Sequence, residues 1–345
     1  MLFKTIRDYG AVGDGMHDDT PAVQAAIDDC GIGGAAIVPE GTYLVADVRM
    51  KPNVALVGAS AWGYRDGGQS ACLAPAKENA ACLINITNAI GCSLRGLSLD
   101  GRGIGDGMHG IMIRKNGFGE QEDAIHIENC RASRFTGDAL RLERAWCLTA
   151  RGNMFSSSKN GMYVDGWNLF LYDNWLTGNR ERGLCAMPGA NTSVIFQGNR
   201  VEWNGMEGIM SADGANWILN GNYFDHNGLD GAKFVRANHV NITGNIFARD
   251  GWRAGSKDLS ASLSALSSGG ICVTSNVFLA MSDDTGRGPV TPEYNLVIRG
   301  LRASVVTGNS MHEAATKQNV LDLGGHDNSV IKDNAASLSA YPKMP

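Results

Sequence analysis

Two acidic residues, Glu202 and Asp225, are the side chains of this sequence whose spacing best suits acid–base chemistry. Each stands three residues after an asparagine that recurs along the chain, and they are 23 residues apart. If the repeat is one turn of a stacked fold, equivalent residues lie side by side, about 4.8 Å apart. Two carboxyl groups that close do not both ionise freely, so one is expected to keep its proton near neutral pH. An acid beside an ionised carboxylate is what cleavage of a glycosidic bond requires.

The residues around this pair suit the binding of a sugar. Trp175 and Tyr223 occupy the adjoining column of the repeat, and their flat apolar faces match sugar rings. Arg200 lies in the same column and is expected to hold one carboxylate ionised or to bind a hydroxyl group. His226 directly follows Asp225 and is a candidate hydrogen-bond partner. The alternative is that these charged side chains are simply a solvated surface, and the sequence leaves it open.

Two insertions follow the same part of the repeat in successive turns. Residues 250–258 and 281–293 lengthen the repeat to 31 and 33 residues. Loops longer than their neighbours at one place usually build a wall or a lid beside a site. The insertions therefore add four candidate substrate-binding residues, which are Trp252, Arg253, Asp283 and Arg287.

The element that positions these residues is an internal repeat, built on an asparagine that is followed two residues later by an apolar residue. Its steps are 24, 21, 25, 23, 23, 31, 33 and 25 residues. Short apolar alternations between Gly/Asn turns predict two or three strands in each period. Such coils stack into a parallel β-solenoid, with the asparagines as an internal ladder. The repeated asparagines are Asn129, Asn153, Asn174, Asn199, Asn222, Asn245, Asn276, Asn309 and Asn334.

The sequence thus predicts an all-β chain, a single-stranded right-handed parallel β-helix of about ten coils with a short N-terminal capping helix. Asp19, Thr20 and Pro21 precede an apolar helical stripe that ends at Ile27, which predicts the helix. We expect one domain over 1–345, with the cap and first coil in 1–45, coils in 46–335 and a C-terminal tail in 336–345.

A family resemblance accompanies these patterns. The run Tyr9-Gly-Ala-Val-Gly-Asp-Gly15, the segment 18–27 and the run Val38-Pro-Glu-Gly-Thr-Tyr43 resemble the N-terminal cap of the pectate-lyase-like superfamily. That superfamily includes polygalacturonases, pectate lyases, alginate epimerases, phage tailspikes and inulin fructotransferases. The resemblance implies the fold over nearly the whole chain, while fold alone does not fix activity.

Within the superfamily the sequence looks most similar to the inulin fructotransferase and difructose-anhydride enzymes. The segments Val57–Arg65, Leu97–Gly101 and His109–Ile111 carry this likeness. It implies glycosyl transfer or hydrolysis without a cofactor, and a homotrimer. Asp173-Asn174-Trp175 resembles the turn that bears one carboxylate of those enzymes, but Leu184 and Cys185 stand where the second would be. The likeness therefore does not define the product.

Two other functions remain open. One is a polysaccharide lyase or epimerase acting on a uronate glycan, and the other is a non-catalytic, tailspike-like glycan-binding protein. Tyr163, Asp165 and Lys233 lie on another outward face and form a rival groove in principle. Asp138, Glu207 and Asp230 precede glycine or alanine in a common turn column, which favours a structural role.

Charge and composition narrow the classes of partner. The formal net charge of −5 lacks the basic footprint of a nucleic-acid-binding protein. No apolar stretch is long enough for a transmembrane helix. The eight cysteines have no zinc-site spacing, so no metal is predicted. The start carries no apolar leader, which predicts a cytoplasmic protein, or a secreted one if a leader preceded it.

Overall fold

The computed structural model describes residues 3–59, 70–187, 191–255 and 257–339. Residues 60–65 of the segment Val57–Arg65, Ser256 of the first insertion and the end of the tail, 340–345, lie outside them. The chain divides into two compact units, 1–175 and 176–345. The expectation of one domain stays a prediction, and each unit is described by itself.

The first unit begins with a short 3₁₀ helix, Ile6–Tyr9, and the predicted capping helix, α1, at Thr20–Asp28. Asp19 is its N-cap residue, but its carboxylate accepts hydrogen bonds from the Val12 and Gly13 backbone N–H groups at 2.7 and 3.2 Å. The strands are β1 (Phe3–Thr5), β2 (Asp14–Asp18), β3 (Ala35–Val38), β4 (Gly41–Val45), β5 (Val48–Arg49), β6 (Ala55–Gly58), β7 (Ala71–Pro75), β8 (Cys82–Asn85), β9 (Ser93–Arg95), β10 (Ser98–Asp100), β11 (His109–Arg114), β12 (Ile125–Glu128), β13 (Arg131–Ser133), β14 (Leu140–Arg151), β15 (Met154–Ser156) and β16 (Met162–Tyr172).

The second unit contains strands alone among its described elements, and β17 (Trp175–Thr177) begins at the boundary. They are β18 (Leu184–Ala186), β19 (Thr192–Gln197), β20 (Arg200–Glu202), β21 (Ile209–Ala212), β22 (Ala215–Asn220), β23 (Tyr223–Asp225), β24 (Ala232–Val235), β25 (Asn238–Thr243), β26 (Ile246–Ala248), β27 (Ala261–Leu266), β28 (Gly269–Thr274), β29 (Val277–Leu279), β30 (Tyr294–Arg299), β31 (Val305–Thr307), β32 (Ser310–Ala315), β33 (Gln318–Asp322), β34 (Val330–Ile331) and β35 (Ala335–Leu338).

Each complete coil of the second unit contributes three strands, in agreement with the predicted two or three. Strand β20 pairs in parallel with β23, β23 with β26, and β26 with β29. The strands β21 and β24, and likewise β22 and β25, pair in the same way one coil apart. Equivalent residues of successive coils are therefore direct neighbours, which is the arrangement of a parallel β-helix. No helix among the described residues is long and apolar enough to cross a membrane.

The asparagine ladder runs inside the coils as predicted. In the second unit Asn199 donates from Nδ2 to Oδ1 of Asn222 at 3.1 Å, and Asn222 donates to Asn245 at 2.9 Å. The same amide of Asn222 donates to the Phe196 carbonyl at 2.9 Å, so it also satisfies turn backbone. One predicted member was wrong: Cys130, not Asn129, donates its backbone N–H to Asn153 at 2.9 Å and so holds the ladder position. The prediction was displaced by one residue, because neighbouring residues face opposite sides and only the residue in register with Asn153 faces the interior.

A second ladder, which the sequence analysis missed, lies five residues after the first in the second unit. Asn179 donates to Asn204 at 2.9 Å, Asn204 to Asn227 at 2.9 Å, and Asn227 to Asp250 at 2.9 Å. All four side chains are buried. The series thus ends in a carboxyl group in place of an amide.

The core follows the inward positions predicted two residues after each ladder asparagine. Phe224, Phe247 and Phe278 are buried and stack with ring centroids 4.6 and 5.0 Å apart. Such contacts between successive coils supply apolar burial and aromatic stacking together. The strand face opposite to this core is the one that carries the candidate site.

Candidate functional site

Glu202 and Asp225 are direct neighbours on adjacent coils. They end strands β20 and β23, and the strand register pairs Glu202 with Asp225 and Arg200 with Tyr223. This is the adjacency that the repeat predicted. The next residue in the column is Ala248 of β26, so the carboxyl pair ends there.

Both carboxyl groups are buried, which the sequence analysis did not predict. Glu202 is 4% exposed and Asp225 is 3% exposed. The sequence analysis expected the column that contains both residues to face outward. It left open the alternative that these charged side chains are simply a solvated surface. Each of the two side chains contacts a guanidinium group, so neither is a freely solvated carboxylate. Glu202 accepts a hydrogen bond at Oε2 from Nε of Arg200 at 2.5 Å.

Arg249 organises the Asp225 side of the pair. Its Nε donates to Oδ1 of Asp225 at 2.7 Å, and its Nη2 contacts Oδ2, so the guanidinium holds both oxygens. Its Nη1 contacts Asp284 of the second insertion. These two carboxylates raise the pKa of Arg249 above its usual value, the hydrogen bond with Asp225 contributing most. Bidentate contact of this kind fixes geometry as well as charge.

An aromatic stack lies beside the pair, on the turn that follows strands β20 and β23. The rings of Trp203 and His226 are 3.9 Å apart, and those of His226 and Trp252 are 5.4 Å apart. The Arg253 guanidinium lies 4.5 Å from the centre of the Trp252 ring. Burial, with the Arg249 charge, lowers the pKa of His226, so its ring is neutral at neutral pH.

The two insertions enclose a cavity next to this stack. The cavity has a volume of about 630 Å³, and both insertions line it, with Trp252, Leu259, Pro289 and Tyr294 among its apolar residues. Its ionisable residues include Glu293 and Lys317, which form an ion pair of 2.6 Å. Thr291 in its wall donates to the Arg249 carbonyl at 3.0 Å, which ties the cavity to the residue that holds Asp225.

The remaining predicted residues have different surroundings. Tyr223 is half-buried, with the Arg200 guanidinium 5.6 Å from its ring, and burial raises its pKa. Asp283 accepts hydrogen bonds from Thr285 and Arg287 within its own loop, so it shapes the turn. Its neighbour Asp284, which was not predicted, is the residue that reaches Arg249. Trp175 is half-buried at the end of the first unit.

The second unit contains a second pair of acidic residues, Glu207 and Asp230. They lie at the far end of the turns that follow strands β20 and β23. Glu207 accepts from Nε of Arg182 at 2.8 Å, and Asp230 lies 3.5 Å from Nζ of Lys233. Both carboxyl groups are buried, and burial raises the pKa of Asp230 to about 6. The sequence analysis assigned this column to turn structure and did not foresee its burial.

The second ladder ends in Asp250, an acid whose pKa is influenced by both of these regions. Asp250 is completely buried, and burial raises its pKa well above the usual value, with contributions from Asp225 and Asp230. Oδ1 accepts hydrogen bonds from the Asn227 backbone and side chain. Oδ2 is buried without a hydrogen-bond partner within the described residues. A protonated carboxyl group costs far less to bury in this way than a charged one.

The residues of the rival groove belong to different units. In the first unit the Arg141 guanidinium lies 4.2 Å from the centre of the Tyr163 ring, and Asp165 forms a 3.4 Å ion pair with Arg144. Lys233 belongs to the second unit and pairs with Asp230. Among the described residues no group of three or more His, Cys, Asp or Glu side chains is placed to hold a metal ion.

Comparison with known proteins identifies the family. Residues 105–337, more than half of the chain, match the family described as "Right handed beta helix region". The chain belongs to the right-handed β-helix family. Residues 3–69 also match the family described as "Rhamnogalacturonase A/epimerase, pectate lyase-like", which confirms the resemblance noted in the cap.

Similar solved structures cover nearly the whole chain. One is the A-module of the mannuronan C-5 epimerase AlgE6 of Azotobacter vinelandii, with 16% identity, a TM-score of 0.72 and coverage of 98% of this chain and 100% of that one. Another is DFA-IIIase of Arthrobacter chlorophenolicus A6 without its lid, with 14% identity, a TM-score of 0.70 and coverage of 99% and 100%. At these identities the likeness concerns the fold.

A curated relative matches over a short stretch. The plasmin and fibronectin-binding protein A of Streptococcus pneumoniae is 55% identical over 47 residues, which are 13% of this chain and 6% of that protein. The match therefore spans only a small part of that relative's length.

Proposed function

We propose that this β-helix protein is a carbohydrate-active enzyme that cleaves or transfers a glycosidic bond of an oligo- or polysaccharide, with Glu202 and Asp225 as its catalytic pair. The observation that carries the proposal is the buried pair in register on adjacent coils, with Arg249 on both oxygens of Asp225. The cavity that Trp252 and Thr291 line, and that Thr291 connects to Arg249, has room for about one or two sugar rings. The DFA-IIIase and mannuronan epimerase structures, both named for carbohydrate substrates, share the fold.

The proposal gives each carboxyl group a role, beginning with Asp225, whose contacts are the more extensive. Asp225, whose two oxygens face one guanidinium, is the ionised carboxylate that stabilises positive charge at the anomeric carbon. Glu202 takes the remaining role in the proposed reaction, that of the acid: a proton passes from it to the leaving oxygen as the bond from that oxygen to the anomeric carbon breaks. A water molecule or a substrate hydroxyl then bonds to the carbon, and its proton returns to Glu202.

Substitution of the pair tests this proposal. Glu202→Gln and Asp225→Asn keep the side-chain shape but remove the acid and the carboxylate, so each should lower turnover by about 100-fold or more. Neutral fructans, neutral glucans and uronate oligosaccharides serve as substrates, with products identified by mass spectrometry. Asp213→Asn is the matched control, since Asp213 forms a similar two-point pair with Arg236 on the exposed surface.

Full turnover by both pair variants contradicts the catalytic assignment. Unsaturated products from uronate oligosaccharides alone would instead identify a lyase. Binding of a glycan without any product would favour a tailspike-like binding protein.

A further inference from the structure

Trp203, which the sequence analysis did not select, presents a large aromatic surface directly beside the pair. It follows Glu202 in the chain, and 39% of the residue is exposed although Glu202 itself is buried. Its backbone is left-handed, with a φ of 56°. This conformation turns the chain at the end of β20 and is rare for a bulky residue.

One face of the Trp203 ring is packed. The His226 ring on the next coil lies 3.9 Å away, tilted by 31°. Trp252 then packs on His226 and donates from Nε1 to the His226 carbonyl at 3.2 Å. The stack therefore holds the indole in a defined orientation.

On the preceding coil, the residue equivalent to Trp203 is Gly178. The backbone N–H of Gly178 donates to the Glu202 carbonyl at 3.1 Å, just as that of Trp203 donates to the Asp225 carbonyl at 3.1 Å. Gly178 has the same left-handed backbone, with a φ of 63°. Because glycine has no side chain, that coil adds none at the position equivalent to Trp203, which is itself 39% exposed.

We propose that Trp203 is a stacking platform for a neutral sugar ring of the substrate, bound next to Glu202. This inference rests on the proposed function and adds a subsite to it. The apolar C–H face of a sugar ring packs against an aromatic face, while its hydroxyl groups reach neighbouring polar groups. The arginines of the pair, Arg200 and Arg249, are already engaged with Glu202, Asp225 and Asp284, so a neutral ring suits the subsite better than a uronate.

Binding measured by calorimetry tests the platform independently of turnover. The probes are an inulin-type fructo-oligosaccharide, a cello-oligosaccharide and an oligogalacturonate. Trp203→Ala should weaken binding of a neutral probe about tenfold, and Trp203→Phe should retain most of the affinity. Gly178→Asn adds a side chain at the equivalent position of the neighbouring coil, in a backbone conformation that asparagine accepts, and should weaken binding as well.

The control is Ile218→Ala, since Ile218 is equally exposed, at 39%, but lies on β22. Unchanged affinity of Trp203→Ala for the neutral probes, preference for the oligogalacturonate, or no binding of any probe by the unaltered protein would each overturn the platform. Trp203-dependent binding with no product from any probe would support the platform and count against the catalytic proposal.

Discussion

At the scale of single residues, burial decides which carboxyl groups keep a proton. Asp230 lies among buried groups that include Ser264, and its pKa is raised to about 6 although Lys233 opposes the shift. Asp213 is exposed and lies against Arg236, whose hydrogen bonds lower its pKa. The same residue type therefore responds to acid in opposite directions within one unit.

This difference predicts a pH dependence of stability. Because the folded state holds a proton on Asp230 that the unfolded chain has lost, the free energy of unfolding should fall as the pH rises from about 4 to about 6. Asp230→Asn should flatten this decline. Urea unfolding at several pH values across that range measures it.

The control for that measurement is Asp213→Asn, which should leave the decline in place. The contribution of Asp213 has the opposite sign, since it is present above the ordinary aspartate pKa and is lost as the pH falls. An Asp230→Asn variant with the same pH profile as the unaltered protein would contradict the assignment of a buried, protonated Asp230.

The sequence predicted part of this site for a clear reason. A 23-residue step with no insertion puts Glu202 beside Asp225 whatever their surroundings are. Arg249 was missed because it lies just after β26, in the left-handed position that Trp203 and His226 occupy on their own coils. At that position the alternation along a strand no longer indicates whether a side chain points inward or outward.

At the scale of elements, the inner asparagine ladder replaces the backbone hydrogen bonds that a tight turn loses. Asn222 accepts from the Asn199 backbone and amide, and donates to Asn245 and to the Phe196 carbonyl. Removal of this one amide leaves several buried polar groups without partners, which is the costly case for a hydrogen bond.

Asn222→Ala should therefore lower the free energy of unfolding by about 3 kcal/mol or more. Asn241→Ala is the matched control, since Asn241 is exposed on β25 and has an ordinary extended backbone, so it should change stability by less than about 0.5 kcal/mol. Chemical denaturation of both variants gives the comparison. Equal stability of the two would mean that the ladder contributes nothing to the coil.

At the scale of the whole molecule, some exposed apolar residues lie next to one another on successive coils. Ile246 and Val277 are strand-register neighbours on β26 and β29, and they are 37% and 44% exposed. Val305 and Val330 form a similar neighbouring pair on β31 and β34. Contiguous apolar surface of this kind favours a partner.

We propose a homotrimer, and light scattering coupled to size exclusion should give three times the mass of the chain. Ile246→Lys should shift the protein towards monomers, because it places a charge in the contact. Asn216→Lys is the control at an exposed polar position and should leave the mass unchanged. A monomer at all concentrations would contradict the proposal.

The fold was far more predictable than the site. Regular asparagines, inward residues such as Phe224 and the Asp19–Pro21 helix start follow from local spacing, which the sequence displays directly. The cavity depends on how two insertions of different length meet. The second ladder consists of residues such as Asn204, whose regular spacing is hard to notice in the sequence because the first ladder lies only five residues away. Neither is a property of one repeat.

The second ladder also bears on how the protein ages. Asn204 and Asn227 each precede a glycine, and asparagine–glycine pairs in flexible chains lose their amide readily, because the small glycine lets its backbone nitrogen attack the side chain. Inside the coils both amides are hydrogen-bonded and cannot turn towards that nitrogen. A copy that spends time unfolded lacks this protection, and each lost amide would introduce a carboxylate where the stack has room only for a neutral group. At these two positions the loss of the amide therefore depends on how often the coils open.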